Sequence, residues 1–135
     1  MQQIPINWLA VIFAAVIRLA VGAVWYSPVA FGPVWQKTVG VTQAQMMAAM
    51  PRAITVDAIG SLIMAFILLH AVVYAGAADL VLGGTVGALN WLGFVAVVLI
   101  ATSVYEQRPL RSAVIAAGFN LVALILMGAL LAVWR

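Results

Sequence analysis

The chain has 135 residues, of which 67% are hydrophobic and 7% are charged. A soluble domain is typically about 45–50% apolar and about 25% charged, so this composition excludes an ordinary water-facing surface and points to one integral membrane domain. Six basic residues against three acidic ones give a net charge of +3, too few and too dispersed for a nucleic-acid-binding face, and no nucleic-acid partner is expected.

The first apolar run, about residues 7–26, is long enough to cross a bilayer, which takes about 20 mainly apolar residues. No basic stretch precedes it, so it reads as a retained first span rather than a cleaved signal peptide. Arg18 lies near its middle. A charge there costs roughly 2.5–3.5 kcal/mol on insertion scales, so Arg18 needs a partner. Ala10, Ala14, Arg18 and Gly22 share one helix face, and the small residues around Arg18 would let another helix come close.

Ser27-Pro28 ends this span, because the residue before proline is pushed out of the α region. The connection from Pro28 to Pro51 is the only long one. Thr42 and Gln45 fit a capping box, and Met46, Met47 and Met50 form an apolar side. The spacing predicts a short amphipathic helix lying on the membrane, the alternative being an extension of the second span kinked at Pro51.

The second span is expected at about 53–75. Its stripe Ala53, Asp57, Ser61 and Ala65 matches the character of the Arg18 stripe, and the two could face each other. Counting helical rise from the two prolines puts Ser61 level with Arg18 and Asp57 roughly 6 Å away along the axis. An arginine can reach that far, although helical side chains lean toward their own N-termini, which turns these two apart. His70, farther along, reads as a hydrogen-bonded residue near the interface, against an axial ligand or a proton relay.

A turn at residues 76–79 leads to the third span, about 82–104. Gly83 and Gly87 form a GxxxG pair that marks close helix approach, within the chain or between chains. Asn90 is a further candidate partner for Arg18. Asn90-Trp91-Leu92 echoes Asn7-Trp8-Leu9, a thin hint of internal duplication. The polar turn 106–109 precedes the fourth span, about 112–134, with Asn120 near mid-depth. Asp79 and Glu106 read as turn and cap residues. The fold expected is an all-α four-helix transmembrane bundle in up-down order, because short turns make successive helices antiparallel neighbours.

Lysine and arginine set the orientation. Lys37, Arg52, Arg108 and Arg111 fall on the side of the first and third connections, against Arg135 alone on the other. Both termini are therefore expected outside the cytoplasm. Trp25, Tyr26, Trp35 and Tyr105 would form the inner aromatic belt, and Trp8, Tyr74 and Trp134 the outer one.

Little chemistry is available to such a chain. It has no cysteine and one histidine, which excludes thiolate and multi-histidine metal sites. No serine has a histidine at a readable spacing, and Gly83-Gly84 lacks the lysine of a phosphate-cradling loop. No catalytic residue, metal or cofactor is expected. The polar set is Arg18, Asp57, Ser61, Asn90 and Asn120, read either as a buried clamp that fixes packing or as the lining of a conduction or ligand pocket. The helix-contact set is Gly22, Gly83 and Gly87. The expected partners are the lipid bilayer and other membrane chains or the protein itself.

Several segments together carry a resemblance. They are Asn7-Trp8-Leu9-Ala10-Val11, Trp25-Tyr26-Ser27-Pro28, Phe31-Gly32 with Trp35, Asn90-Trp91-Leu92-Gly93-Phe94, Glu106-Gln107-Arg108-Pro109-Leu110, Ala117-Gly118-Phe119 and Met127-Gly128-Ala129. The chain resembles the DUF1761 family, small four-span bacterial membrane proteins of unknown function. The resemblance implies a multi-pass protein of the bacterial inner membrane and supplies no activity. It also implies a small or apolar residue where Arg18 stands and a histidine where Asn120 stands, so Arg18 would serve something particular to this protein.

Overall fold

A computed structural model describes residues 3–135, which are helical apart from the two ends and the connections between helices. Helix α1 runs Trp8–Trp25, α2 Gly32–Val39, α3 Gln43–Tyr74, α4 Leu80–Trp91, α5 Val97–Tyr105 and α6 Leu110–Val133. A single π-helical turn, Leu92–Ala96, joins α4 to α5, so the two form one continuous span. Four helical stretches are long and apolar enough to cross a membrane: α1, α3, α4 with α5, and α6. In lipid each backbone must satisfy itself, and helices of this length do so. The protein is an all-helical membrane protein.

Helix ends follow local chemistry. Asn7 caps α1 by accepting from the Ala10 N–H at 3.2 Å. Asp79 caps α4 through Leu82 at 2.9 Å. Glu106 ends α5 and pairs with Arg108 at 2.7 Å across the turn. Both acids are thus turn and cap residues.

The first connection differs from the expectation. Its short helix is α2, which ends at Gly40 in the left-handed region, φ 73°. The segment expected to lie apart on the membrane is instead the first turns of α3, continuous through Pro51. The capping box is present: Thr42 accepts from the Gln45 N–H at 3.1 Å, and Gln45 accepts from the Thr42 N–H at 3.0 Å. Proline removes one backbone bond but does not stop a helix so firmly started. At about 1.5 Å per residue, the 32 residues of α3 extend about 48 Å, well beyond a hydrocarbon core of about 30 Å. Its first turns must project past the apolar layer. Thr42→Ala should cost about 1 kcal/mol of local stability, read as faster amide exchange over residues 43–50 with the rest of α3 unchanged.

The core is built around α6. It touches α1, α3 and α4, and it is the most buried span. Its buried positions include Ala113, Ala117, Ala123, Gly128 and Ala132, small residues that let three helices approach one. α1 and α3 pack against each other and against α6, whereas α4 packs chiefly on α6.

The closest approach lies between α4 and α6. A Cβ on Gly83 would strike the Gly128 carbonyl, one on Gly87 the Leu124 carbonyl, and one on Gly128 the Gly83 carbonyl. The GxxxG pair is therefore engaged within the chain.

Candidate functional site

Arg18 sits on the buried face of α1, above Ala10 and Ala14, and is itself only 9% exposed. Its guanidinium joins three helices. Nη1 donates to Asp57 Oδ1 and, at 2.9 Å, to Ser61 Oγ, both on α3. Nη2 donates at 3.2 Å to Asn120 Oδ1 on α6. The guanidinium carbon lies 4.9 Å from the centre of the Phe119 ring, a cation–π distance.

The geometry follows from the sequence. Asp57 and Ser61 are four apart and share one face of α3, so one nitrogen can bridge them. The reach of the arginine side chain overcomes the opposite lean of the two residues. Asn120 cannot turn away, because its Nδ2 donates to its own helix at the Ala116 carbonyl, 2.9 Å, leaving Oδ1 aimed at Arg18. Asn120 lies near the middle of the 24-residue α6, which places the cluster near mid-depth. Nε of Arg18 is buried without a hydrogen-bond partner among the described residues.

Asp57 is the open side of the cluster, its side chain 44% exposed. It borders a groove of about 570 Å³ along α3, lined by Arg18, Ala49, Arg52, Ala53, Val56, Asp57, Gly60 and Met64.

Of the five polar residues singled out in the sequence, Arg18, Asp57, Ser61 and Asn120 meet. Asn90 does not: its Nδ2 donates to the Val86 carbonyl at 2.8 Å in its own helix, two residues before the π-helical segment. Gly22 is in contact with α6, where an added Cβ would stand 3.3 Å from the Phe119 ring. His70 bonds to the Phe66 carbonyl at 2.8 Å. The two Asn-Trp-Leu segments have unlike roles. Asn7 caps α1 while Asn90 lies within a helix, and Trp8 stacks on Phe66 while Trp91 donates to the Ala117 carbonyl at 2.7 Å.

Sequence reasoning missed an aromatic assembly beneath the cluster. Trp25 is not only an interfacial residue: its indole N–H donates to the Ile115 carbonyl at 3.0 Å. Its ring lies 4.8 Å from Phe31. Tyr26 meets Trp35 at 5.5 Å and Phe119 at 5.7 Å. The turn between α1 and α2 makes this possible, with the Phe31 N–H bonded to the Trp25 carbonyl at 2.9 Å. A Cβ on Gly32 would run into the Tyr26 and Ser27 carbonyls, so only glycine closes this turn. The Trp-Tyr-Ser-Pro and Phe-Gly segments are thus one device that fastens the end of α1 to α6. Phe119 connects it to Arg18. The signal was the adjacency of Gly118, Phe119 and Asn120, since an aromatic beside a mid-depth amide would flank whatever that amide holds.

No curated protein and no solved structure matches the chain. The model of one family, described as a protein of unknown function (DUF1761), matches residues 9–132, nearly the whole length, and the chain belongs to that family.

Proposed function

We propose that this chain is a non-enzymatic membrane protein that acts through helix contacts, as an accessory subunit of a larger complex or as a homo-oligomer. The observation that carries this reading is the use of its mid-depth polar groups as internal fasteners. Arg18 ties α1 to α3 and α6, while Asn90 and Asn120 donate to their own helices. Such a set produces a rigid body, and the work of a rigid membrane body is done on its surface.

Since Gly83 and Gly87 are engaged by α6, contacts between chains fall on another face. The π-helical turn offers one. Such turns are frequent at functional sites, and this one presents Leu92 and Phe94 outward, Phe94 76% exposed. The chain has no cysteine, so a photoreactive probe on Phe94→Cys reports on one position. Irradiation in native membranes should give one discrete protein adduct, with none from Val114→Cys, also outward. Adducts to lipid alone from both positions would defeat this reading.

The second reading is a small transporter or channel with a polar path past Arg18. The half-exposed Asp57 beside the groove favours it. It requires flux in liposomes of purified protein that Arg18→Leu abolishes. Flux at the background of protein-free liposomes is the outcome our reading expects.

The location proposed is a bacterial inner membrane with both termini outside the cytoplasm, on the bias of Lys37, Arg52, Arg108 and Arg111 against Arg135. A reporter fused after Arg135 should be active only in its non-cytoplasmic form. Activity of the cytoplasmic form would reverse the orientation.

A further inference from the structure

We propose that the groove along α3 holds one acidic phospholipid, its acyl chain lying from Ala53 to Met64 and its phosphate at Arg52. Three independent features of the groove converge on this occupant.

The first is length. From Ala49 to Met64 the groove follows α3 for about 22 Å at about 1.5 Å per residue, about 18 Å of it between Arg52 and Met64. One leaflet of hydrocarbon is about 15 Å deep, half of a core of about 30 Å. The stretch from Arg52 to Met64 therefore runs from the headgroup level to just past the midplane, with Ala49 one turn farther out. The level of Arg52 is fixed by its neighbours. Arg18 donates to both Asp57 and Ser61, so its level lies between theirs. Arg52 lies five residues from Asp57 and nine from Ser61, and Trp25, the last residue of α1, lies seven residues from Arg18 in the same direction. Arg52 and Trp25 thus stand within about 3 Å of one level, at the end of the α1 span.

The second feature is shape. Ala49, Ala53, Val56, Gly60 and Met64 give the groove mostly apolar walls. Gly60 is not there for a close helix contact within the chain, because a Cβ added to it meets nothing within 4 Å. The space over Gly60 is open rather than a packed interface.

The third feature is charge. Arg18 and Asp57 neutralise each other, whereas Arg52 makes no salt bridge among the described residues. The groove keeps one positive charge, at the depth of a phosphate. This also separates a lipid from a second copy of the chain. Two copies related by a two-fold axis along the membrane normal would present the same face to each other. That would bring Arg52 to Arg52 at one depth, like charge on like. An anionic headgroup is the complement that the groove lacks. Basic pockets on the cytoplasmic side of membrane helices bind such headgroups.

The test is native mass spectrometry of the full chain in neutral detergent, titrated with dioleoylphosphatidylglycerol, dioleoylphosphatidylcholine or inorganic phosphate. One phosphatidylglycerol should be retained per chain. Its affinity should exceed that of phosphatidylcholine about fivefold, the equivalent of about 1 kcal/mol for one basic residue at a membrane surface. Arg52→Gln should erase that preference while leaving both lipids weakly bound. Gly60→Leu should lower the retention of both, because its side chain fills the groove, and the open space there lets the variant fold. Unchanged thermal unfolding of each variant checks that it does. Equal retention of the two lipids by the natural chain would overturn the proposal. So would an undiminished preference in Arg52→Gln, or undiminished retention in Gly60→Leu. Displacement of phosphatidylglycerol by inorganic phosphate alone would reduce the site to an anion site and reject the acyl groove. A dimer that Gly60→Leu splits would assign the groove to a second copy instead.

Discussion

Asp57→Leu should destabilise the chain more than Asp57→Leu and Arg18→Leu together. Removing one partner of a buried pair leaves an uncompensated charge and costs about 3–5 kcal/mol, whereas replacing both with apolar residues is often neutral. The single change should fall near the lower bound, roughly 3 kcal/mol, because Ser61 and Asn120 still accept from Arg18 and the Phe119 ring still lies against it. Arg18→Leu should be the milder single change. It leaves Asp57, the more exposed partner, free to meet water, and the chain should still insert and fold. The measurement is reversible unfolding of the four proteins of the cycle in mixed micelles. Additive effects would show that Arg18 and Asp57 do not stabilise each other. The order also bears on function. A clamp tolerates the double leucine variant, while a polar path past Arg18 does not.

Much of this arrangement is legible in the sequence because membrane helices obey simple rules. Length and apolarity located the four spans, and spacing by four put Asp57 and Ser61 on one face opposite Arg18. Asn120 could be named as a partner because it lies at the same depth. What sequence could not resolve was choice among equals. Asn90 and Asn120 have the same side chain at similar depth. Only Asn120 is held by the Ala116 carbonyl with its oxygen toward Arg18, while Asn90 bonds within its own helix, on a span that packs chiefly on α6. The continuity of α3 was hidden by Pro51, whose local effect is outweighed by a capping box nine residues earlier. The π-helical turn has no period of its own in an all-apolar stretch, so nothing in Leu92–Ala96 announces it. The indole bond of Trp25 to a carbonyl of α6 was masked by the general preference of tryptophan for the interface, and nothing in the sequence announced that of Trp91.

Gly87→Leu and Gly83→Leu should each destabilise the monomer and leave no inserted but dissociated species. Sequence alone leaves two outcomes open for a GxxxG pair, and the contacts of these glycines decide between them. Gly83 lies on Gly128 and Gly87 on the Leu124 carbonyl, all within one chain. The obstacle is backbone, which cannot swing aside as a side chain can. Adding atoms to a packed core typically costs about 1–3 kcal/mol. Here even one methyl meets a carbonyl oxygen, so Gly87→Ala should already reach the upper part of that range and leucine should exceed it. Gly60→Ala supplies the contrast. Its Cβ meets nothing within 4 Å, and replacing a helical glycine by alanine gains up to about 1 kcal/mol in propensity. One chemical change should therefore destabilise at Gly87 and stabilise, or leave unchanged, at Gly60. Gly84→Ala should fall between them, because its nearest neighbour is the flexible Ile125 side chain at 3.4 Å. Unfolding of the three alanine variants in mixed micelles gives the order directly. A folded Gly87→Leu monomer of natural stability would show that α4 and α6 do not approach through these residues. The hydrocarbon around the protein sharpens the contrast. Lipid offers α4 no penalty for leaving α6, so close packing rather than the hydrophobic effect holds them together. A wedge of leucine at Gly87 removes that packing at its tightest point.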